Sequence, residues 1–385
     1  MTFSVYRISH SWGGAGASER LCNDPVLSGL RTLGPVNPRT AAVVLLVFAT
    51  SAAACSHGGS AGTAATATAA PSTTTAPTSI DQESAVTTQA RSSEAPADCV
   101  GELDGPAAHR YRTDVGDEEP DLVSVDVYRR PSATDCPVLI WIHGGGWTVG
   151  DKAGRAIETK VDFAGELGAV LVSVNHRLVT PGSQIRWPTM GQDAAAAVAW
   201  VADNADELGV DPERIALMGH SAGAHLVASL GTNPDLLGGF AMSRDDLRCV
   251  VTLDSAAYEV SEGDVRSKGL FESAFGTDPV VLADASPTLQ AVEHAGDMPE
   301  FIIVTRGTET RTAEAEAFAE ALEAAGSSAE LVDAGGYSHE EVNTAVGDDG
   351  EDVVHRTGAQ VPRVVLAVMR VDRIDRPTRT LFAWD

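Results

Sequence analysis

Aromatic residues are scarce: Phe, Trp and Tyr make up 5% of the 385 residues. Basic residues are scarce as well, 27 against 54 acidic ones, for a formal charge of −27. A nucleic-acid partner needs clustered Lys and Arg to neutralise phosphates. The few basic residues here are scattered along the chain, which sets nucleic acid aside. An anionic membrane surface repels such a chain unless something covalent holds it there. The apolar run AAVVLLVFA at 41–49 is too short for a membrane span, which takes ~20 residues. Five cysteines are present, and none is spaced for a metal site. Apolar residues as a whole are plentiful at 43%, enough for a large core.

The short apolar run has a context. Arg39 and Thr40 precede it, and small residues from Thr50 to Ala54 follow, ending at Cys55. A basic flank, a short apolar stretch and small residues before a processing point make a signal peptide, here residues 1–55. Ala52-Ala53-Ala54-Cys55 resembles a bacterial lipoprotein processing site, in which the Cys becomes the lipidated first residue. It departs from that pattern at Ala52, where Leu is usual. The expectation is export, as a cell-surface lipoprotein or a secreted protein, with membrane contact only through a lipid on Cys55. Residues 56–97 are almost all Ala, Thr, Ser, Gly and Pro. Such a segment buries too little apolar surface to offset the entropy of ordering it, so it reads as a tether. A folded domain is expected over 98–373, with a tail at 374–385. Export permits a disulfide. Cys99 and Cys136 are candidates, whereas Cys249 opens an apolar strand and reads as a buried thiol.

Within the domain, apolar strands alternate with helices. VSVDVY (123–128) alternates with period two, whereas PVLIWIH (137–143) and AVLVSVN (169–175) are continuous apolar runs. Continuous runs are what a parallel strand buried on both faces requires. IALMG (215–219), CVVTLD (249–254), FIIVT (301–305) and AELVD (329–333) read as further strands. Helices are expected over 193–209, 222–230 and 312–325. The pattern implies an α/β fold, a mostly parallel sheet with helices on both faces. Functional groups then belong at the carboxyl ends of the strands.

The motifs fall there. Gly219-His220-Ser221-Ala222-Gly223 lies between the strand IALM and a helix. A G-x-S-x-G elbow forces its Ser into a strained turn above the sheet, with glycines where side chains would collide. Ser221 is thus the candidate nucleophile, and His220 a candidate pocket residue. His143-Gly144-Gly145-Gly146-Trp147 directly follows VLIWI. Glycines in a row expose backbone N–H groups, and Gly144, Gly145 and Ala222 are the candidate oxyanion donors. Trp147 either lines the pocket or packs in the core.

The base is expected after the last strand, because chain order in this arrangement is nucleophile, acid, base. GGYSH (335–339) follows AELVD and makes His339 the candidate. His143 then supports its loop, His294 is a surface residue and His355 is structural. The acid is expected after FIIVT, where Glu309 is the one carboxylate of the loop RGTETR. Asp254, ending CVVTLD, is its rival, and Asp333 stays open behind both. Residues 255–297 are long enough to cover part of the site, and Tyr258 is the residue expected to reach it.

HGGGW, NHRL (175–178), the Asp193–Trp200 helix, GVDPERIALMGHSAGAHL (209–226) and SHEEVN (338–343) together resemble the carboxylesterase branch of the α/β hydrolases. The likeness spans roughly residues 110–370 and is nearest to the bacterial feruloyl and acetyl esterases. It implies the α/β-hydrolase fold and hydrolysis of small-molecule carboxylic esters through an acyl-enzyme, without cofactor or metal. Hormone-sensitive-lipase-like relatives share HGGG but often carry Asp where His220 stands. Kynurenine formamidases share an HGGxW signature, which keeps an amidase on the same residues as an alternative. A catalytically silent binding lipoprotein is the other alternative; its expected mark, a broken triad or glycine loop, is missing.

Overall fold

The computed structural model describes residues 97–116, 120–261, 268–307 and 309–346. The leader, nearly all of the tether, Cys55, the domain residues from 347, His355 and the tail lie outside these.

Eight strands form one sheet in the order β1-β2-β4-β3-β5-β6-β7-β8. They are β1 (Asp104–Arg110), β2 (Ser124–Arg129), β3 (Cys136–Ile142), β4 (Val170–Val174), β5 (Val210–His220), β6 (Leu247–Leu253), β7 (Glu300–Thr305) and β8 (Ala329–Asp333). The pairs β1–β2 and β2–β4 are antiparallel, and every pair from β4 to β8 is parallel. Strand β1 and the helices within 255–297 are elements that the apolar pattern did not give. The exposed residues of β1, Asp104 to Ala108, explain why: it has no continuous apolar run to read.

The central strands are buried on both faces, and alternate side chains feed two cores. Val138, Ile140 and Ile142 of β3 enter one core, with Ile215 and Leu217 of β5 and Phe301 and Ile303 of β7. Leu139 and Trp141 enter the other, with Ala216 and Met218 of β5 and Ile302 and Val304 of β7. Helices α2 (Thr189–Asp203), α4 (Ala222–Thr232) and α9 (Glu309–Ala324) cover the first face. Helix α1 (Ile157–Leu167), through Phe163, Ala164 and Leu167, covers the second. Truncating one of these large side chains, such as Phe163, costs ~3–5 kcal/mol. The remaining helices are short: α3 (Ala205–Leu208), α5 (Pro234–Gly238), α6 (Lys268–Phe275), α7 (Pro279–Asp284), α8 (Pro287–Glu293) and α10 (His339–Thr344).

Cys99 is bonded to Cys136, the first residue of β3. Cys249 is a buried free thiol, pushed up to about 12 by burial, with Glu300 adding to it.

Candidate active site

Strand β5 ends at His220, and α4 begins at Ala222. Ser221 between them has φ 55° and ψ −114°, a conformation that side-chain-bearing residues rarely adopt. Its N–H donates to the carbonyl of Leu253 at 2.9 Å. The flanking glycines make the turn possible. A Cβ on Gly219 would lie 2.3 Å from the Gly223 carbonyl oxygen, and one on Gly223 would lie 2.1 Å from that of Ile142. Those neighbours are backbone and cannot swing aside.

The glycine loop follows β3, the strand beside β5. Gly145 has φ 116°, and a Cβ there would meet the Val149 carbonyl oxygen at 1.9 Å. That carbonyl oxygen belongs to a tight turn, in which Thr148 and Val149 both donate to the Gly145 carbonyl. The Nδ1–H of His143 donates to the Gly144 carbonyl at 2.7 Å, which fixes the loop from its other side. The N–H groups of Gly144, Gly145 and Ala222 meet no acceptor among the described residues.

His339 opens α10. Ser338 caps that helix, accepting from the Glu341 N–H, while the Glu341 carboxylate accepts from the Ser338 N–H. The imidazole is 34% exposed, enough to be reached from the cavity. Its Nδ1 lies 2.5 Å from Oδ2 of Asp254. Asp254 follows β6 and is fully buried. Burial alone raises its carboxyl, but the hydrogen bond from His339, the charge of Arg311 and the hydrogen bond from Arg306 outweigh it and hold the group below the usual carboxylate range. Arg306 donates to Oδ2 at 2.7 Å and Arg311 to Oδ1 at 2.7 Å.

This corrects the expected order of acids. Glu309 is exposed at the start of α9 and makes no contact with His339. The strand β7 ends at Thr305 and α9 begins at Glu309, so the loop between them is too short to carry Glu309 over the sheet. The same loop instead delivers Arg306 to Asp254. Asp333 accepts from the N–H of Gly335 and shapes that turn.

Ser221, His339, His220, Gly144, Gly145 and Arg311 line one cavity of about 510 Å³, a size usual for small-molecule sites. Leu270 of α6 also lines it, so the segment after β6 does reach the site. Trp147 and Tyr258 do not line it. Trp147 is 3% exposed, and its ring packs edge-on to Phe275 at 4.9 Å. Tyr258 is stacked on Phe318 at 4.6 Å, with its hydroxyl donating to Thr252. Both are core residues, because their rings found aromatic partners within the fold.

His220 has a role that its place in the motif did not reveal. Its Nε2–H donates to the backbone carbonyl of His339 at 2.9 Å. Burial, and next the neighbouring His339, push it down to about 3. It therefore stays neutral at working pH and holds the backbone of His339.

Residues 125–244 match the BD-FAE family model. Over 243 residues the chain is 30% identical to carboxylesterase NlhH of Mycobacterium tuberculosis, covering 58% of this chain and 72% of NlhH. The chain belongs to the α/β-hydrolase carboxylesterases. Other curated relatives match over a shorter stretch. Esterase LipQ of M. tuberculosis is 38% identical over 122 residues, which is 30% of this chain and 28% of LipQ. Thermogutta terrifontis esterase 2, solved with butyrate bound, shares the fold at a TM-score of 0.55 and 24% identity, over 70% of this chain and 97% of that one.

Proposed function

We propose that this carboxylesterase-family chain hydrolyses small carboxylic esters through an acyl-enzyme on Ser221, with His339 as base and Asp254 as its acid. The observation that carries the reading is the hydrogen bond from His339 to buried Asp254, with His339 and Ser221 lining one cavity. Asp254 accepts from Nδ1–H, so Nε2 is left to accept the serine proton. Ser221 then attacks the acyl carbon, and its proton passes to His339. The oxyanion forms beside the N–H groups of Gly144, Gly145 and Ala222, each worth ~3 kcal/mol to the transition state. His339 protonates the departing alcohol, and water releases the acyl group by the same route.

The test is hydrolysis of p-nitrophenyl acetate, butyrate and octanoate by the parent and by Ser221→Ala. Activity lost in the variant supports the reading. An inert parent that also resists a fluorophosphonate probe refutes it. Matched formamide substrates separate an esterase from an amidase.

We also propose that the protein is exported and lipidated at Cys55. The basic, apolar and small-residue order of 39–55 supports this, as does a disulfide, which persists in oxidising compartments. Mass spectrometry of the mature N-terminus, with Cys55→Ser beside it, decides the matter.

A further inference from the structure

Lys160 of α1 has no exposed surface. A lysine that deep normally has a carboxylate partner. No carboxylate among the described residues forms an ion pair with Lys160; its side-chain nitrogen donates to the backbone carbonyl of Asn343 and to Thr159 Oγ1 at 3.3 Å. It also stands 4.9 Å from the centre of the Trp141 ring, where the ring's negative face attracts a cation.

Asn343 is in the last turn of α10, the helix whose first residue is His339. The end carbonyls of a helix lack partners and carry partial negative charge, so a cation there is stabilising. Among the described residues, few other contacts hold this six-residue helix. Val342 is its buried apolar anchor, Ser338 and Glu341 cap its start, and His220 holds the His339 carbonyl. The charged and titratable groups facing Lys160 are Glu340 of the same helix and His220 below, with His339 at the helix start.

We propose that Lys160 is a positioning residue: its side-chain amino group, a hydrogen-bond donor whether charged or neutral, pins the far end of α10 and thereby sets the His339 imidazole against Asp254 and Ser221. The proposal rests on the assignment of His339 as base. A six-residue helix is about 9 Å long, so freeing one end lets the other pivot. A displacement of ~1 Å at a catalytic group costs as much as 100-fold in rate.

The experiment compares the parent with Lys160→Met, which keeps the length of the chain and removes both charge and donor, and Lys160→Gln, which keeps a donor. Two readouts are taken on folded protein of each. The first is kcat and KM for p-nitrophenyl butyrate, with active sites counted by fluorophosphonate titration. The second is the far-downfield proton resonance of the His339 Nδ1–H donated to Asp254, assigned by its loss in His339→Ala. The expected result is a ~10- to 100-fold fall in kcat for Lys160→Met, KM within about twofold, and a shifted or broadened resonance. Lys160→Gln is expected to recover part of both. An unchanged kcat and an unchanged resonance in folded Lys160→Met, or in Lys160→Gln if the Met variant does not fold, overturn the proposal. If the parent proves inert, the esterase reading fails, and the resonance alone still decides whether Lys160 sets the His339–Asp254 pair.

Discussion

Replacing Asp254 with Asn separates the two candidate acids most sharply. The carboxylate holds His339 at 2.5 Å and two arginines at 2.7 Å each. An amide in its place no longer fixes the tautomer with hydrogen on Nδ1, and in an analogous triad that change costs ~10⁴ in kcat. We expect a loss of ~10³–10⁴ in kcat here, with little change in KM. Stability falls too, because Arg306 and Arg311 lose a buried partner. Their side chains are 22% and 29% exposed, so water relieves part of the cost, leaving on the order of 2–3 kcal/mol. The carboxyl is held below its ordinary value in the folded state. Its contribution is therefore present above the unfolded value near ~4 and fades as pH falls through the folded one. The stability gap between parent and Asp254→Asn accordingly narrows in acid. Glu309→Gln is the control, expected within about twofold of the parent, since an exposed residue away from the site rarely matters. The assay is p-nitrophenyl butyrate hydrolysis with titrated active sites, alongside urea unfolding at pH 7 and pH 3. A crippled Glu309→Gln beside a near-normal Asp254→Asn would refute the assignment.

Burial lowers Lys160 to about 7, so between ~7 and ~10.4 the unfolded chain binds more protons than the folded one. Stability of the parent then rises with pH through that window, and Lys160→Met lacks the rise, as denaturant midpoints across pH will show. Cutting the Cys99–Cys136 bond by a double Ser substitution frees a 37-residue separation and is expected to cost ~4 kcal/mol by the loop-entropy estimate, read as a lower urea midpoint. Gly223→Ala places a Cβ 2.1 Å from the Ile142 carbonyl oxygen and is expected to abolish fluorophosphonate labelling of Ser221 or to prevent folding. Cys249, buried and pushed up to about 12, is expected to resist thiol reagents in native protein and to react fully in denaturant.

The sheet was legible because its central strands are buried on both faces, which leaves continuous apolar runs such as PVLIWI. The strained turn at Ser221 and the glycine loop were legible because backbone crowding permits few residues there. The carboxylate that pairs with His339 was not, since its position depends on lateral neighbours in the sheet. Thr252 and Leu253 of β6 pair with Gly219 and His220 of β5, which sets Asp254 beside Ser221 whatever the loop lengths. No sequence interval encodes that adjacency. Tyr258 was misplaced, and Trp147 left open, for a related reason: an aromatic near a motif is as ready to face the core as the cavity, and only the partners Phe275 and Phe318 decide. Lys160 gave no signal at all, because a single Lys on an amphipathic helix reads as a solvated one.

The disulfide has a mechanical consequence. Cys99 lies near the start of the described domain, and Cys136 is the first residue of β3. Tension applied ahead of Cys99 crosses the sulfur bridge directly into β3, bypassing the loop that holds β1 and β2. The load then acts lengthwise on a strand gripped on both sides by β4 and β5, where many hydrogen bonds must shear together. Under reducing conditions the same pull would instead unzip the edge strand β1 first.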